Sequence, residues 1–424
     1  MTTPPSEFPS LKHGTVYLVG GAVRDEYLGR PITERDWVVV GATPEEMLRQ
    51  GFLQVGKDFP VFLHPLTKEE YALARREKKT GRGYQGFSFD TSTTVTLEED
   101  LKRRDITINA MAKNAEGVLI DPYGGLKDLK SRQLRHVSDA FVEDPLRVLR
   151  VARFAGRYFH RGFFIAPETL ELMKQLVGEE ELSYLSPERI WQETHTALSE
   201  THPRIYFEVL RNCGALEVLF PEIAALYGVP NPLRWHPEID TGVHTMMVLD
   251  AAVKLSKRPV VRFAALLHDL GKGKTPSSLW PRHIGHEKEG ELLVKNVCDR
   301  LRVPKEFKEL ALLVAKEHGM CHQISEMKPS TLIRTLERFD VYRRPERFQD
   351  FLMACTADHE GRTGYQGKPY AQADAWQSLY EKTKTVDMTP LLEKNLKGEA
   401  MAAAVFEARV ALAKAWKETS NFSS

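Results

Sequence analysis

Two carboxylates and a glycine turn lie close together near the start of the chain. Glu34 and Asp36 stand two residues apart where an apolar, β-branched run begins, and alternation along a strand would point both carboxylates to one face. Gly20 and Gly21 follow a similar run and precede Arg24, whose forked guanidinium matches phosphate oxygens. Carboxylates beside such a turn are typical of a Mg²⁺ site that holds a nucleoside triphosphate. The predicted chemistry is nucleotidyl transfer; a solvated strand end beside an ordinary turn is the alternative.

Arginines recur further along the chain. Arg104 precedes Asp105 after an acidic helical turn, where the carboxylate could hold the guanidinium in place for a triphosphate. A surface ion pair is the alternative for these two residues. Arg147, Arg150 and Arg153 repeat every three residues, so on a helix they cover about one third of the circumference. An arginine face of this kind, opposite an apolar one, suits phosphates or base edges.

Histidine is concentrated in one later region. Seven of the fourteen histidines are His236, His244, His268, His283, His286, His318 and His322. His268 and Asp269 end an apolar helical pattern, and Lys272 follows them. Imidazoles and a carboxylate that converge from several helices suit a divalent transition metal that activates water. A lone histidine on a helix is more often structural, but this concentration favours a metal site.

Positioning these side chains requires strands first and helices later. Short strands are predicted over 15–19, 52–55, 61–64 and 70–74. Thr43 is a predicted helix N-cap, and the basic, glycine-containing stretch 75–83 predicts a loop. From Asp144, a predicted N-cap before Pro145, the pattern is helical.

The predicted fold class is therefore α+β, with a small N-terminal head that contains a β-sheet and helices, followed by all-α regions. The predicted organisation is a loose tail over 1–13, a head over 14–141, a helical neck and body over 142–235, a histidine-rich helical domain over 236–345 and a helical tail over 346–424.

Composition excludes several classes of protein. The 424 residues include 59 basic and 58 acidic side chains, so contact with RNA would need a local basic face because there is no global positive field. The four cysteines contain no Cys-x-x-Cys pair, which indicates reduced thiols and a cytoplasmic protein. No apolar run of membrane-spanning length occurs, so no membrane association is expected.

Three ordered motifs resemble a known family. Leu18-Val-Gly-Gly-Ala-Val-Arg-Asp25, Arg103-Arg-Asp-Ile-Thr-Ile-Asn-Ala110 and Glu143-Asp-Pro-Leu-Arg147 resemble the class II tRNA nucleotidyltransferase and poly(A) polymerase family. His268-Asp269 resembles the motif of an HD phosphohydrolase domain. The combination, from about residue 14 to the C-terminal region, resembles the bacterial multifunctional branch of that family.

The resemblance implies template-independent addition and repair of the 3′-terminal CCA of tRNA from CTP and ATP, with release of pyrophosphate. Glu34 and Asp36 would bind Mg²⁺. The residues implied to contact nucleotide are Gly21, Arg24, Arg104, Asp144, Arg147, Arg150 and Arg153, with Asp144 and Arg147 reading the base edge. The family usually has aspartate where this chain has Glu34, so Asp36 is expected to be the less replaceable acid.

For the HD domain the resemblance implies 2′,3′-cyclic phosphodiesterase, 2′-nucleotidase and phosphatase activities with Ni²⁺ or another divalent transition metal. His268 and Asp269 follow from the motif, whereas His244, His286 and His318 are assigned as ligands by composition and order. The implied partner is the 3′ end and acceptor region of tRNA, and the chain is expected to be a monomer or a homodimer.

Two other functions remain open from the sequence. A poly(A) polymerase of the same superfamily would share the head motifs and add long ATP-derived tracts to any RNA end. A tRNA-binding protein with an inactive head would retain only HD phosphohydrolysis, and Glu34 favours that reading. A purely structural helical protein leaves the ordered arginine and carboxylate motifs unexplained.

Overall fold

The computed structural model describes residues 11–55, 61–79, 87–234, 236–387, 389–392 and 396–419. The chain forms two compact units. The N-terminal unit comprises Met1–Ala197 and Ile205–Leu219, and the C-terminal unit comprises Leu198–Arg204 and Phe220–Ser424. Most of the predicted tail, residues 1–10, lies outside the described residues.

The N-terminal unit is organised around a β-sheet. Among its described residues, the strands are β1 Thr15–Val19, β2 Asp36–Val40, β3 Leu53–Gln54, β4 Val61–Leu63, β5 Glu70–Leu73, β6 Arg76–Lys79, β7 Phe87–Asp90, β8 Ala112–Lys113, β9 Leu119–Ile120, β10 Gln133–Leu134 and β11 Phe164–Ile165. Seven of these strands form one sheet, in the order β3-β4-β5-β2-β1-β8-β9. β1 and β2 pair antiparallel with Val19 opposite Asp36. This register places the glycine turn after β1 beside the first residue of β2.

Helices account for most of the remaining described residues. In chain order they are α1 Gly21–Tyr27, α2 Pro44–Arg49, α3 Leu97–Lys102, α4 Gly125–Ser131, α5 Leu146–Tyr158, α6 Pro167–Gly178, α7 Pro187–Ser199, α8 Pro203–Asn212, α9 Ala215–Leu219, α10 Pro221–Ala224, α11 Thr241–Leu255, α12 Pro259–Leu267, α13 His286–Arg300, α14 Lys305–Cys321, α15 Pro329–Arg338, α16 Pro345–Glu360, α17 Ala371–Thr383, α18 Thr389–Leu392 and α19 Gly398–Thr419. No helix within the described ranges is long and apolar enough to span a membrane.

Each unit has an apolar interior that fixes its elements. In the N-terminal unit, Val19 and Val38 of the sheet pack with Leu101 of α3. In the C-terminal unit, α11, α12 and α16 meet through small side chains such as Ala252 and Ala265. Small residues allow these helix backbones to approach closely, so polar side chains on the same helices are brought near one another.

The α+β prediction is confirmed, and several elements lie where the pattern placed them. β1 spans the predicted residues, and Thr43 forms a complete capping box with Glu46 at the start of α2. Two local predictions are wrong. Residues 76–79 form strand β6 paired with β7, while 80–83 lie outside the described residues. Pro145 occupies the cap position before α5, although Asp144 still accepts the Leu146 N–H at 3.1 Å.

Candidate functional site

The glycine turn and the carboxylates meet at one edge of the sheet. Gly20 has a positive φ of 69°, a conformation that glycine adopts without steric cost. A Cβ on Gly20 would lie 2.8 Å from an Nη1 atom of Arg104, so glycine also makes room for that guanidinium. Glu34 lies in the irregular segment before β2 and not within the strand, so strand alternation does not set the direction of its side chain. Even so, Glu34 and Asp36 line the same cavity.

This cavity has a volume of about 510 Å³ and is strongly cationic. Its arginines are Arg24, Arg75, Arg103, Arg104, Arg147, Arg150, Arg153, Arg157 and Arg189. Its carboxylates are those of Glu34, Asp36, Asp105 and Asp144. Among the described residues that line the cavity, nine positive charges therefore face four negative ones, and the surplus favours a polyanion such as a triphosphate.

Partial removal of Asp36 from water raises the pKa of its carboxyl group. Arg104 and Arg24 act in the opposite direction, and the nearby charge of Glu34 adds to the increase. Two carboxylates this close are suited to share a divalent cation, because the cation compensates the charge of Glu34 that raises the pKa of Asp36.

Asp100 and Asp105 divide the arginines between them. Asp105 accepts a hydrogen bond from Nε of Arg150 at 2.8 Å, and not from Arg104 as the sequence predicted. Asp100, in the second half of α3, instead pairs with Arg103 at 2.9 Å and with Arg104 at 3.4 Å. The reason is helical spacing, because Asp100 lies three and four residues before those arginines on the same turn.

Arg24 is buried and firmly held. Its guanidinium donates to Asn109 and, at 3.1 Å, to Asp25, and it lies 5.4 Å from the ring centroids of Phe154 and Tyr158. Tyr158 also donates to Asp25 at 3.3 Å. Arg24 therefore presents a fixed charge at the cavity wall, where a flexible side chain would first have to be ordered.

The α5 arginines are anchored from behind. Arg147 donates to the backbone carbonyls of Ala140 and Arg103, and Arg153 donates to Glu193 of α7 at 2.6 Å. Residue Arg189, which the sequence argument did not single out, donates through Nη2 to both oxygens of Asp144, at 2.9 and 3.2 Å. The sequence pattern that could have identified Arg189 is its spacing of four residues from Glu193 on the helix that follows Ser186-Pro187.

A second candidate site lies within the C-terminal unit. His244 of α11, His268 and Asp269 after α12, His286 of α13 and His318 of α14 come together. Asp358 of α16 joins them: its Oδ1 lies 3.0 Å from Nε2 of His244 and 3.7 Å from Nε2 of His268. Asp269 Oδ1 lies 3.5 Å from Nε2 of His286 and 3.4 Å from Nε2 of His318.

Three of these imidazoles are oriented in the same way. Nδ1 of His268, His286 and His318 lies 2.7, 2.9 and 2.9 Å from a backbone carbonyl oxygen in each case. A proton on Nδ1 satisfies that contact and leaves Nε2 with a free lone pair. Each Nε2 then faces a carboxylate of the cluster. This is the arrangement expected of metal ligands.

Sequence reasoning did not identify Asp358 and Glu238. Asp358 lies beyond residue 345, on the face of α16 that also buries Ala354 and Cys355, and a carboxylate on a buried helix face was the available signal. Glu238 Oε1 lies 3.0 Å from His236 Nδ1 and 2.8 Å from His244 Nδ1.

The other two histidines of the concentrated region have different contacts. His283 contacts Thr275 and the Pro230 carbonyl. Nε2 of His322 lies 3.1 Å from Asp358 Oδ2, and its Nδ1 lies 2.7 Å from the Tyr370 hydroxyl. His283 is therefore part of the local scaffold, and His322 holds Asp358 from the side away from His268.

The electrostatics of the cluster favour cations. Burial opposes ionisation of Asp269, but His268 and Lys272 hold the pKa of its carboxyl well below the usual range. Burial likewise opposes ionisation of Asp358, and Arg362 with His244 lowers the pKa of that carboxyl. Both acids are thus charged at neutral pH. Among the described residues, Nε2 of His268, Oδ1 of Asp269 and Nε2 of His286 are buried without a hydrogen-bond partner. Unpartnered nitrogen and oxygen donors of this type fit a divalent transition metal.

Three family models match the chain. A Poly A polymerase head domain matches residues 16–135, a probable RNA and SrmB-binding site of polymerase A matches residues 162–227, and an HD domain matches residues 241–344.

Curated relatives match over nearly the whole length. A multifunctional CCA protein of Vibrio campbellii is 58% identical over 386 residues, which are 91% of this chain and 95% of that protein. The multifunctional CCA proteins of Nitrosococcus oceani and Teredinibacter turnerae are each 55% identical over 395 residues, which are 93% of this chain and 97% and 96% of those proteins.

Solved structures share the fold at lower identity. An apo form of a CCA-adding enzyme has a TM-score of 0.65 and 23% identity, covering 95% of this chain and 88% of that one. The Thermotoga maritima CCA-adding enzyme complexed with tRNA has a TM-score of 0.65 and 22% identity, covering 96% and 88% of the two chains.

Proposed function

The chain belongs to the multifunctional CCA protein family, whose CCA-adding tRNA nucleotidyltransferase activity accompanies an HD domain, and from this premise we propose how its two sites divide the work. The cavity of the N-terminal unit adds and repairs the 3′-terminal CCA of tRNA from CTP and ATP, with release of pyrophosphate. The histidine cluster of the C-terminal unit hydrolyses phosphate esters, as a 2′,3′-cyclic phosphodiesterase, 2′-nucleotidase and phosphatase.

One observation carries the first part of the proposal. Glu34 and Asp36 line the same cavity as nine arginines, beside a turn whose glycines bring the backbone close. The cationic surplus matches a triphosphate, and the two acids match the divalent cation that accompanies it. When bound there, Mg²⁺ would supply the charge that lowers the pKa of the tRNA 3′-hydroxyl and stabilises the leaving pyrophosphate.

We assign the remaining roles to the arginines and to Asp144. Arg104 and Arg150 lie beside the carboxylates with their guanidinium groups held by Asp100 and Asp105, so they can bind phosphate oxygens without first being ordered. Asp144 and Arg147, with Arg153 nearby, lie at the start of α5 and in the same cavity. Asp144 offers acceptors to the amino group of cytosine or adenine, which selects CTP and ATP without a nucleic-acid template.

The test is addition to tRNA that lacks its 3′ end, with CTP and ATP supplied together and the products sequenced. Wild-type chain is expected to add cytidine, cytidine and adenosine and then stop. Asp36→Ala is expected to lose more than about a hundredfold in rate, because it removes a direct metal ligand. Glu116→Ala, an exposed carboxylate outside the cavity, is the matched control and retains full rate.

Three outcomes would contradict this assignment. If Asp36→Ala kept the full rate of CTP incorporation, the cavity would not be the polymerising site. Long adenosine tracts on any RNA end would instead identify a poly(A) polymerase. Hydrolysis without any addition would identify an HD phosphohydrolase with an inactive head, the reading that Glu34 favours.

A separate observation supports phosphohydrolysis. The histidine cluster contains buried nitrogen and oxygen atoms that could ligate a metal and that have no hydrogen-bond partner among the described residues. Nζ of Lys272 lies 2.6 Å from Asp269. A lysine at this position can bind the phosphate of a substrate. A divalent ion, Ni²⁺ in our proposal, would supply an activated water when bound.

The second test compares the two sites in one chain. His268→Ala is expected to abolish phosphatase and 2′,3′-cyclic phosphodiesterase activity, because it removes a buried ligand, and to leave CCA addition intact. Asp36→Ala is expected to show the reverse. Phosphatase activity that survives both His268→Ala and treatment with a chelator would exclude the histidine cluster as its source.

A further inference from the structure

Lys272, to which we assign phosphate binding, has a second buried neighbour. Its Nζ lies 2.6 Å from Asp269 and donates a hydrogen bond to Oδ1 of Asn231 at 3.0 Å. Because an ammonium group can only donate, this contact identifies which end of the Asn231 amide is the oxygen. The amide nitrogen, Nδ2, is therefore the end that does not contact Lys272.

The N–H groups of Nδ2 are not satisfied. Asn231 is only 3% exposed, and within the part of the chain that the structure describes its Nδ2 is buried without a hydrogen-bond partner. The main chain holds the residue in place, since its backbone N–H donates to the Ile239 carbonyl at 2.6 Å. A buried amide donor without an acceptor is costly, so Nδ2 indicates an acceptor that arrives with a ligand. The ammonium group of Lys272 beside it favours an anionic acceptor.

The segment that leads into α13 carries an exposed aromatic side chain, Trp280. Its Nε1 donates to the Thr275 carbonyl at 3.1 Å, so the polar edge of the indole is satisfied and the ring is held in place. The side chain is nevertheless 37% exposed, and its neighbours Leu279 and Ile284 are 39% and 68% exposed. A fixed aromatic ring with an exposed surface is typical of a platform on which a nucleobase stacks.

The buried imidazole of His283 connects the amide and the indole. The centroid of its ring lies 6.4 Å from the ring centroid of Trp280. Its Nε2 lies 2.8 Å from the carbonyl oxygen of Pro230, the residue before Asn231. Trp280 and Asn231 are therefore neighbours of the same ring, one with an exposed aromatic surface and the other with an unsatisfied donor. A nucleoside phosphate, in which the sugar separates the base from the phosphate, can contact both.

We propose that Asn231 and Trp280 bind the substrate of the phosphohydrolase. Nδ2 of Asn231 donates to a phosphate oxygen beside Lys272, and the indole of Trp280 stacks on the base of the nucleotide. This inference rests on the proposed phosphohydrolase function and deepens it, because it makes a nucleoside phosphate a better substrate than a phosphate ester without a base. Stacking alone does not distinguish the bases, since each has an aromatic face.

The first test compares hydrolysis of adenosine 2′-phosphate with that of glycerol 2-phosphate, which has no base, by the full-length chain loaded with Ni²⁺. Trp280→Ala is expected to raise KM for adenosine 2′-phosphate about tenfold with kcat nearly unchanged, because it removes a stacking contact. Both constants for glycerol 2-phosphate should stay the same. Tyr184→Ala, an exposed aromatic residue of the N-terminal unit, is the matched control and should alter neither substrate. An unchanged KM for adenosine 2′-phosphate in Trp280→Ala would overturn the proposal.

Two variants of Asn231 separate substrate binding from support of Lys272. Asn231→Ala is expected to raise KM for both substrates about tenfold, because a hydrogen bond to a charged group is lost. Asn231→Asp keeps an oxygen that accepts from Lys272 but places a negative charge where the N–H groups were, so KM should rise at least as much. If Asn231 only held Lys272, Asn231→Asp would keep the constants of the unchanged chain, and the proposal would be wrong. Asn296→Ala, an exposed asparagine of α13, is the control.

Fluorescence gives a readout that does not depend on catalysis. The emission of the unchanged chain minus that of Trp280→Phe is the contribution of Trp280. In the chelator-treated chain, adenosine 2′-phosphate is expected to quench this contribution, and glycerol 2-phosphate is expected to leave it unaltered. Absence of quenching by the nucleotide would contradict stacking. Quenching without hydrolysis of any ester would refute the phosphohydrolase function alone, and hydrolysis that ignores the changes at Trp280 and Asn231 would refute this inference alone.

Discussion

Asp144 is the side chain to which the proposed function assigns nucleotide selection, and its surroundings decide how it can do so. Both of its oxygens contact Nη2 of Arg189, and Oδ1 also accepts the Leu146 N–H. A base that donates to Asp144 must share or replace the contact with Arg189. At the same time Arg189 fixes the direction in which the carboxylate points. Under the proposed function, Arg189 is therefore expected to act as a positioning residue for base recognition.

Removing Arg189 is expected to weaken base recognition. Arg189→Ala leaves Asp144 without its guanidinium partner, and kcat/KM for CTP and ATP should each fall about tenfold, equivalent to about 1.4 kcal/mol. Discrimination against UTP should fall as well, because a carboxylate in variable orientation reads the amino group less strictly. The measurement is single-nucleotide incorporation with each of the three triphosphates.

The matched control for that measurement is Arg343→Ala, an arginine that is 84% exposed and lies in the C-terminal unit. Its kinetic constants should equal those of the unchanged chain. If Arg189→Ala retained both the rate and the discrimination, Asp144 would not depend on Arg189.

The pairing of individual charges was the part of the site that sequence could not predict. The predicted acids and arginines all line one cavity, and their roles there stay a prediction. Their pairing was not predicted, because Asp105 and Arg150 are 45 residues apart and such a contact follows from the packing of α5 against the head. Because Asp105 is adjacent to Arg104 in sequence, the two were predicted to pair, and that prediction was wrong.

At the scale of elements, one close approach assembles the histidine cluster. Gly271 lies two residues after Asp269, in a short 3₁₀ segment, and a Cβ there would be 1.9 Å from the His286 carbonyl oxygen and 2.6 Å from the Gly290 nitrogen. The absence of a side chain lets this segment pack against the first turns of α13. Asp269 and His286 are thereby brought together, with Oδ1 of Asp269 3.5 Å from Nε2 of His286.

Gly271→Ala is expected to separate these elements. The added methyl group would meet backbone atoms that cannot move aside. The free energy of unfolding should therefore fall by about 1–3 kcal/mol, the range typical of overpacking, or more. Metal binding by the cluster should weaken in parallel, while CCA addition continues. Thermal unfolding and metal content of the full chain measure the two effects.

Gly178→Ala provides the comparison, because a Cβ at Gly178, at the end of α6, would meet no atom within 4 Å. That change should leave both the unfolding temperature and the metal content unaltered. Equal behaviour of the two glycine variants would show that the contact of Gly271 with α13 is unimportant.

Elements with strong local signals were predictable, and those that depend on distant partners were not. The β-branched run of β1 and the Thr43 cap are local features, and both were found as expected. Strand β6 is a run of charged residues, Arg76-Glu-Lys-Lys79, that becomes a strand by pairing with β7. The residues of β6 do not alternate between apolar and polar, so the sequence predicted a loop there.

At the scale of the whole molecule, the two units carry their own sites and their own buried charges. In the N-terminal unit, burial acts against ionisation of Asp105, but Arg150 and Asn109 lower the pKa of its carboxyl below the ordinary value of 3.8. A carboxyl whose pKa is lower in the folded chain than in the unfolded one stabilises the fold above the unfolded value. That contribution is lost as the pH falls from there toward the folded value.

Asp105→Asn should therefore change the pH dependence of stability as well as its magnitude. Above about pH 5 the unchanged chain should be more stable in urea, since only its charged carboxylate pairs with Arg150, and the difference should shrink steadily as the pH is lowered to about 3. Urea unfolding followed at several pH values measures this. A difference that stays constant over that range would mean that ionisation of Asp105 does not contribute.

The carbonyl contacts of His268, His286 and His318 have a consequence for how an ion is captured. Each ring contacts a backbone carbonyl three or four residues away. Its orientation is therefore set when the protein folds and does not depend on a bound ion. Binding of a metal ion would then require little ordering of the side chains, and exchange of one ion for another would leave the imidazole rings in place. If the cluster binds a metal as proposed, these fixed rings are expected to make it selective for the radius of the ion.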